Sequence, residues 1–459
     1  MAEQSKERKK RRLHPTQFLM LGFALLILLG AILLCLPFSA AKGSSVSFLE
    51  ALFTSASSVC VTGLTVVETG AAYSTFGQLV ILLLIQCGGL GIMTITVMFF
   101  MVLKKHITLY ERMVLKEQYN YEGLGGLVNL TKRILLVTLL IELVGACLLS
   151  IRFIPIYGWG KGIYFSIFHS VSAFCNAGFD ILGNGNSLFA LRQEPFILLV
   201  LAALITLGGL GFIVLQEIGR ERKFSRLSLH AKVVLCVSGV LTLSGFLLTY
   251  LFEIGNPQTL GDPSLGTGNA VMGALFQSVS LRTAGYSCLP IGQTHYATKL
   301  ISVFLMFIGA SSGSTGGGIK TTTMFLLLLL VYTVVRGREE VTFAKRTFAM
   351  QLVHKAMAIV VVSLILVLCS SLLLCLLEEG NPQTAQYEFI DFLYEVTSAF
   401  ATVGLSCGMT ASLSAGSKIL IIFMMFVGRI GPLTMAFAIS GRKQSKTAVK
   451  YPQDRMMIG

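Results

Sequence analysis

The sequence predicts an all-α polytopic membrane protein, in which four pseudo-symmetric units of helix, short helix and helix surround one central pore. Composition is the first reason: 54% of the 459 residues are hydrophobic, 13% are charged and the mean hydropathy is +0.77. A soluble globule of this size cannot bury so much apolar surface. The second reason is a series of glycine-centred loops at intervals of 115, 107 and 119 residues, which indicates four structural units. The four glycines are Gly63, Gly178, Gly285 and Gly404.

Each unit is predicted to contain a first helix, a short helix, the glycine loop and a second helix. We expect the first helices at about 16–37, 134–152, 231–252 and 355–377, and the second helices at about 76–103, 196–218, 297–335 and 417–439. All eight reach the length of about 20 residues that a spanning helix needs. The short helices cannot cross the membrane, so they enter and return; they lie at about 47–58, 162–174, 268–281 and 388–400. Irregular backbone at membrane depth is tolerated only inside protein or beside water, which places the four hairpins around one axis.

The charge pattern sets the boundaries and the orientation. The four repeat units are 15–104, 132–219, 231–336 and 355–441, joined by linkers 105–131, 220–230 and 337–354 and flanked by a basic N-terminus, 1–14, and a tail, 442–459. Of the 36 Lys and Arg residues, 27 lie in or beside these linkers and termini. The positive-inside rule therefore makes both termini and all linkers cytoplasmic, and the glycine loops enter from outside. Because the net charge of +14 is confined to these segments, it indicates a lipid bilayer and not nucleic acid as the partner.

The glycine loops have the composition of an ion selectivity filter. Each is a quartet with glycine in third place: Val61-Thr62-Gly63-Leu64, Asn176-Ala177-Gly178-Phe179, Thr283-Ala284-Gly285-Tyr286 and Thr402-Val403-Gly404-Leu405. A loop whose successive carbonyls face one axis needs left-handed backbone, which is inexpensive only for glycine. Four sets of carbonyl oxygens can then replace the hydration shell of a cation. Since no quartet contains a carboxylate, the filter suits a weakly hydrated monovalent cation, and potassium fits best.

The short helices end in Ser/Thr-rich stretches in all four units. If they run inward, their C-termini direct partial negative charge at the cavity below the filter. The alternative is that these small residues only pack the helix ends. Arg282 precedes the third quartet and is unexpected beside a cation path. It either turns away to bond short-helix carbonyls or an acid such as Glu395, which we favour, or it tunes ion entry.

A glycine-rich run interrupts the long second helix of the third unit. Its glycines are Gly309, Gly313, Gly316, Gly317 and Gly318. Each glycine costs about 1 kcal/mol relative to alanine in a helix, so a loop inside the membrane is expected beneath the filter. The run is not a phosphate-binding loop, because Ile319 separates Gly318 from Lys320 and breaks the required Gly-Lys pair. A plug or gate is the better interpretation.

Two intramembrane cations accompany this loop, and such residues usually mark a pathway or its control. Lys320 follows the loop, and Arg429 lies in the middle of the second helix of the fourth unit. Arg429 either donates to loop carbonyls and holds the gate closed, or only caps the carbonyls of a broken helix; we favour the gate. The glycine clusters at 88–91 and 208–211 occupy equivalent places and are expected to be packing or bending sites.

These features together resemble the Trk/Ktr/HKT superfamily of potassium transporters, and specifically the membrane subunit of a bacterial Ktr-type system. The resemblance extends from about Leu19 to Gly441 and rests on the quartets, the loop and Arg429. Trk-type relatives carry extra N-terminal membrane helices, whereas 14 residues precede Pro15 here, which favours the Ktr type.

The resemblance implies potassium uptake across a bacterial inner membrane, with K⁺ as the transported ion and no cofactor in this chain. It further implies a homodimer with one pore per subunit and a cytoplasmic ring of nucleotide-binding regulatory subunits that would hold ATP or ADP. Family members with serine at the first filter glycine tend toward sodium, so Gly63 implies potassium selectivity, with sodium-stimulated uptake as a further expectation. The segment from Tyr451 to Gly459 is a candidate for insertion at the dimer interface.

Other interpretations are weaker. A secondary transporter of a small organic solute predicts inverted halves and a substrate-sized pocket with charged anchors. A membrane scaffold or enzyme is disfavoured because the sequence shows no nucleophile and base set, paired carboxylates or metal cluster at a consistent depth, so no enzyme is predicted. The N-terminal basic cluster with the apolar run 18–36 resembles a secretory signal, but signal cores span roughly 7–15 residues. The ten cysteines contain no CxxC pair and indicate neither disulfides nor zinc.

Overall fold

The computed structural model describes residues 14–91, 94, 97–98, 109–119, 127–183 and 187–440. Three sets of predictions lie outside the described residues. They concern the basic N-terminus, the tail with its candidate dimer contact, and parts of the first linker and of the second helix in the first unit. The fold is mostly helical, with four repeated sets of apolar helices, which confirms the predicted fold class.

The described helices follow the order first helix, short helix, second helix in every unit. The first helices are Pro15–Leu34, Leu127–Tyr157, Leu229–Glu253 and Met350–Glu378. The short helices are Phe48–Cys60, Trp159–Phe174, Thr267–Ser280 and Phe389–Phe400. The second helices begin as Thr75–Leu90, Pro195–Leu210, Tyr296–Phe307 and Ala415–Ile430. They continue, where described, as Phe212–Glu221, Thr321–Val335 and Pro432–Ser440.

The remaining described elements are short. They are the helices Thr69–Ala72, Leu109–Tyr119, Ser187–Leu191, Phe224–Arg226, Ile291–Gln293 and Thr410–Ser412, and a two-stranded hairpin, Thr342–Phe343 with Arg346–Thr347. The hairpin lies in the linker between the third and fourth units. Four of these helices lie within the units, between the quartet and the second helix, and the other elements lie in the linkers.

The second helices of the first, second and fourth units are broken, and the prediction of continuous spans in these three units was wrong. Gly91, Gly211 and Gly431 adopt φ angles of 85°, 95° and 93°, which no right-handed helix can accommodate. In the second unit the two helical pieces meet at an angle of 100°. Among the described residues, only the four first helices are long and apolar enough to cross a membrane unbroken. Hydropathy averaged over a window misses such a break, because glycine is nearly neutral on that scale while its positive φ ends the helix.

The third unit breaks differently. Its second helix stops at Phe307 and resumes at Thr321, and the ends of the intervening loop are joined by a parallel bridge between Ile308 and Ile319. The predicted interruption of this helix is therefore confirmed, while its role as a gate stays a prediction.

The short helices form the interior of the protein. Phe53, Phe168, Phe276 and Phe400, one on each short helix, are fully buried. The first helices instead expose many leucines, for example Leu136 and Leu376, at 70% and 67% of their surface. This distribution fits a bundle whose outside faces lipid and whose irregular backbone is enclosed by protein.

Serines hold the short helices against the first helices in units 1 to 3. In each case a buried short-helix hydroxyl donates to a first-helix carbonyl: Ser55 to Ile27 at 2.7 Å, and Ser170 to Glu142 and Ser278 to Thr242 at 2.6 Å. Glycines at the same crossings let the helices approach, since a Cβ on Gly30, Gly145 or Gly245 would collide with the serine hydroxyl. Small residues and interhelical hydrogen bonds are the usual means of helix packing in membranes.

Candidate functional site

All sixteen quartet residues are buried in the centre of the bundle. The first residue of each quartet lies at or just beyond the end of its short helix in a left-handed conformation, with φ of 59° at Val61, 61° at Asn176, 69° at Thr283 and 52° at Thr402. Such a conformation costs a residue with a side chain roughly 1–2 kcal/mol and is typical of functional sites. The third-place glycines also have positive φ, between 66° and 98°. Left-handed residues at the first and third places give the alternation that a row of inward carbonyls requires.

The four loops close into a ring. A Cβ placed on Gly63 would lie less than 3.0 Å from the carbonyl oxygen of Ala177 in the next unit. The same relation holds from Gly178 to Ala284, from Gly285 to Val403, and from Gly404 back to Thr62. The second-place carbonyl of each unit therefore lies against the glycine of the preceding unit, in the cyclic order 1, 2, 3, 4. No side chain larger than hydrogen fits at any of the four positions without movement of a neighbouring loop.

A serine on each short helix anchors its quartet, a role that the sequence analysis did not assign. Ser57 and Ser398 accept hydrogen bonds from the glycine N–H groups of Gly63 and Gly404, both at 3.0 Å. Their positions six residues before the filter glycine were a usable signal, since Ser172 has the same spacing. The geometry of the quartets thus depends on buried serine hydroxyls, one on each short helix.

The second and third units use their serines differently. Ser172 accepts from the N–H of Phe179 at 3.1 Å and donates to its carbonyl oxygen at 3.0 Å. Ser280 donates to the carbonyl oxygen of Tyr286. In these two units the fourth-place carbonyl is therefore engaged by protein donors, whereas in the first and fourth units the serine binds the glycine. The ring has approximate and not true fourfold symmetry.

The intramembrane loop of the third unit contacts the quartets on the side where the short helices end. The Gly317 N–H donates to Oγ1 of Thr402 at 2.9 Å, and Oγ1 of Thr315 donates to Oδ1 of Asn176 at 3.2 Å. A Cβ on Gly316 would collide with Oγ1 of Thr283. The loop thus meets the first-place side chains of three quartets, in line with its predicted position beneath the filter.

The two intramembrane cations bind this loop. The Lys320 ammonium donates to the carbonyl oxygen of Gly316 at 2.7 Å, within the loop itself. Arg429 donates to the carbonyl oxygen of Thr315 and, with its other terminal nitrogen, to that of Gly88 in the second helix of the first unit. Arg429 therefore makes both contacts considered from the sequence: it binds a loop carbonyl and it caps a broken helix.

Arg282 turns toward the periphery. Its guanidinium donates to the hydroxyl of Ser238 at 3.0 Å and to the carbonyl oxygen of the same residue at 3.3 Å. The expected partners, short-helix carbonyls or Glu395, were wrong, because the first helix of the third unit lies closer to the side chain. The orientation away from the ring is the one that we favoured.

The site carries no protein anion at the ring itself. The quartets contain no carboxylate, and the described residues include no group of three or more His, Cys, Asp or Glu that could hold a metal ion. Partial charges of backbone carbonyls therefore dominate the electrostatics, which is suited to a monovalent ion that exchanges water for carbonyl oxygens.

A ring of four backbone loops inside a bundle of apolar helices defines a multi-pass membrane protein of the ion-transport class. The family model "TrkH: Cation transport protein" matches residues 5–451. The chain belongs to this family, which confirms the family that the sequence features indicated.

Relatives cover nearly the whole chain. It is 41% identical to the potassium/sodium uptake protein NtpJ of Enterococcus hirae over 99% of both chains, and 40% identical to the Ktr system potassium uptake protein B of Bacillus subtilis over 98% of this chain and 97% of the relative. Among solved structures, the potassium transporter TrkH from Vibrio parahaemolyticus has the same fold, with a TM-score of 0.72 over 94% of this chain and 86% of that chain, at 18% identity. These relatives are transport proteins, which confirms that the chain is not an enzyme.

Proposed function

We propose that this protein takes up potassium ions through the ring of quartets. The observation that carries the proposal is the cyclic contact of each filter glycine with the second-place carbonyl of the next unit. Such a ring gathers backbone oxygens from all four units, and replacement of an ion's hydration shell demands oxygens of this kind. The two uptake proteins about 40% identical to this chain carry potassium in their names, which supports the choice of ion.

In this proposal the loop from Gly309 to Gly318 is the gate, and Lys320 and Arg429 hold it in place by hydrogen bonds. Hydrogen bonds from Gly317 and Thr315 to the quartets hold it against the inner end of the filter. Arg429 joins it to the second helix of the first unit. Opening requires these contacts to break together, and the positive charge of Arg429 then leaves the path of the cation.

The wider assembly is also a proposal. The basic linkers and termini support a cytoplasmic regulatory surface by the positive-inside rule, and we expect a ring of nucleotide-binding subunits there, with ATP or ADP bound to the ring. We further expect a homodimer in the bacterial inner membrane and stimulation of uptake by sodium. Similarity to a protein named as part of a Ktr system supports a multisubunit arrangement.

Cation flux into liposomes that contain the purified chain tests the transport proposal. We expect flux that is selective for potassium over sodium, and faster flux once the regulatory partner is supplied. Absence of monovalent cation flux from folded protein with its partner would contradict the proposal and favour the organic-solute alternative.

Deletion of residues 313–318 tests the gate. The deletion removes the contacts with Thr402 and Asn176, so we expect higher flux from correctly inserted protein. Unchanged or lower flux would show that the loop does not close the pathway.

A further inference from the structure

A hydrogen bond links two neighbouring quartets at their fourth positions. The Tyr286 hydroxyl donates to the carbonyl oxygen of Phe179 at 2.9 Å, and both side chains are fully buried. The two residues are 107 positions apart and belong to different units. Because the carbonyl is part of the filter loop, the bond acts on the backbone of the second quartet directly.

The other units cannot form this link. Their fourth-place residues are Leu64, Phe179 and Leu405, which have no side-chain donor. The bond therefore joins units 2 and 3 at a single position of the ring. It also gives the Phe179 carbonyl a second donor beside Ser172, at 3.0 Å, so that oxygen is held away from ion coordination.

His169 supports the tyrosine ring. It lies on the short helix of the second unit, is fully buried and stacks on Tyr286 with ring centroids 6.3 Å apart and planes inclined by 26°. Its Nδ1 lies 2.8 Å from the carbonyl oxygen of Phe165, which can only accept, so Nδ1 carries the proton. Nε2 has no hydrogen-bond partner among the described residues, which leaves ring packing as the contribution of His169 to this contact.

We infer that Tyr286 is a specificity determinant that fixes the distance between the second and third quartets, with His169 as its positioning residue. This inference rests on the proposed function of the ring as the filter. Without the hydroxyl, the Phe179 carbonyl loses one of its two donors. The quartets of units 2 and 3 can then move relative to each other. A ring that adjusts can contract around a smaller ion, so discrimination between potassium and sodium falls.

Tyr286→Phe tests the inference, because it keeps the ring and removes only the hydroxyl. Loss of one buried hydrogen bond corresponds to about three- to tenfold in a binding ratio. We expect the potassium-to-sodium selectivity of flux in liposomes to fall by about that factor, chiefly through a lower KM for sodium. Tyr73→Phe is the matched control, since Tyr73 is also buried and donates at 3.1 Å to Thr54, a residue outside the quartets.

The positioning role has its own readout. His169→Ala removes the stacked ring and should lower selectivity as Tyr286→Phe does, whereas His169→Phe should restore it. Adding His169→Ala to Tyr286→Phe should cause no further loss, because the hydroxyl is already absent. If Tyr286→Phe does not fold, Ser172→Ala removes the other donor to the same carbonyl and should produce the same loss.

The outcomes separate this inference from the transport proposal. Wild-type selectivity in folded Tyr286→Phe, with selectivity lost in Gly63→Ser, would overturn the role of Tyr286 and leave the filter intact. Equal loss in Tyr73→Phe would also overturn it, since the effect would not belong to the quartets. If Gly63→Ser keeps its selectivity, the filter assignment fails and this inference fails with it.

Discussion

Arg429 donates hydrogen bonds to the Thr315 carbonyl of the intramembrane loop and to the Gly88 carbonyl in the second helix of the neighbouring first unit. Through these hydrogen bonds the side chain connects the second helix of the fourth unit to the segment beneath the ring. Arginine is suited to this task because its planar guanidinium carries several donors that can serve two acceptors at once.

Replacement of Arg429 by alanine should open the pathway. A hydrogen bond from a charged donor contributes about 1.5–3 kcal/mol, so its loss should raise flux without the regulatory partner about tenfold or more. Arg429→Lys should give an intermediate increase, because one ammonium serves two separated carbonyls poorly. Rubidium flux into liposomes measures the effect, with Arg152→Ala, which breaks a peripheral ion pair with Glu194, as the control. A destabilised Arg429→Ala protein with unchanged flux would show that the arginine only caps a helix.

Thr402 should couple the gate to the filter. Thr402→Val keeps the shape of the side chain but removes the acceptor for the Gly317 N–H. The intramembrane loop should therefore detach from the filter more often, and basal flux should rise about fivefold. Thr402→Ser keeps the hydroxyl and should behave as the wild type. Flux measured for the two variants in parallel decides the matter, and equal increases in both would point to side-chain packing instead of the hydrogen bond.

Ser57 should contribute to stability through the filter backbone. Ser57→Ala leaves the buried N–H of Gly63 without its acceptor, which costs about 1–3 kcal/mol in the free energy of unfolding. The adjacent Ser58 donates to the Thr54 carbonyl within its own helix, so Ser58→Ala should change stability by less than about 0.5 kcal/mol. Thermal unfolding of the detergent-solubilised variants compares them. Equal losses would mean that burial of the hydroxyl, not its bond to the quartet, sets the cost.

Glu378 should act as a structural clamp at the outer end of the fourth unit. The carboxylate ends the first helix and accepts from the N–H of Ser414, which starts the second helix, at 2.8 Å, and from Asn381 Nδ2 at 2.6 Å. Glu378→Gln places an amide where donors converge and should lower stability by about 2 kcal/mol. Its exposed neighbour provides the control, Glu379→Gln, for which no change is expected. Thermal unfolding distinguishes them, and a shift in selectivity without destabilisation would argue against a clamp.

The same clamp occurs in the third unit. The sequence Glu-x-Gly-Asn-Pro-Gln-Thr occurs at 253–259 and again at 378–384, a repeat that the glycine-centred analysis overlooked. Glu253 accepts from the N–H of His295 at 2.9 Å, and His295 precedes the second helix just as Ser414 does. Two copies of one motif with one geometry indicate that the first and second helices of these units are joined in the same way.

Hydropathy and repeated glycines were sufficient to predict the helices that surround the ring. The four first helices and four short helices follow from apolar runs of different length, each bounded by polar residues. The glycine clusters that include Gly91 and Gly211 were predicted as packing or bending sites, but the breaks there and at Gly431 were not predicted as ends of helices, because a glycine inside an apolar run also occurs at close helix packing. Only the backbone conformation distinguishes the two cases.

The quartets were located from the sequence, but their mutual arrangement was not. The order of the units around the ring depends on contacts such as that between Gly63 and Ala177, which are 114 residues apart. The left-handed conformation of Val61 was also unexpected, since a β-branched residue disfavours it and short-range preference argues against it. Tertiary packing imposes it, as the end of the short helix and the start of the filter coincide at this residue.

The most direct test of the filter is the potassium-to-sodium selectivity of flux in liposomes for Gly63→Ser and Gly43→Ser. Both glycines have positive φ, 98° and 88°, but a Cβ at Gly63 collides with the Ala177 carbonyl, while nothing lies within 4 Å of one at Gly43. The ring predicts that Gly63→Ser loses potassium selectivity and that Gly43→Ser keeps it. Retention of wild-type selectivity in folded Gly63→Ser would contradict the assignment of the quartets as the ion filter.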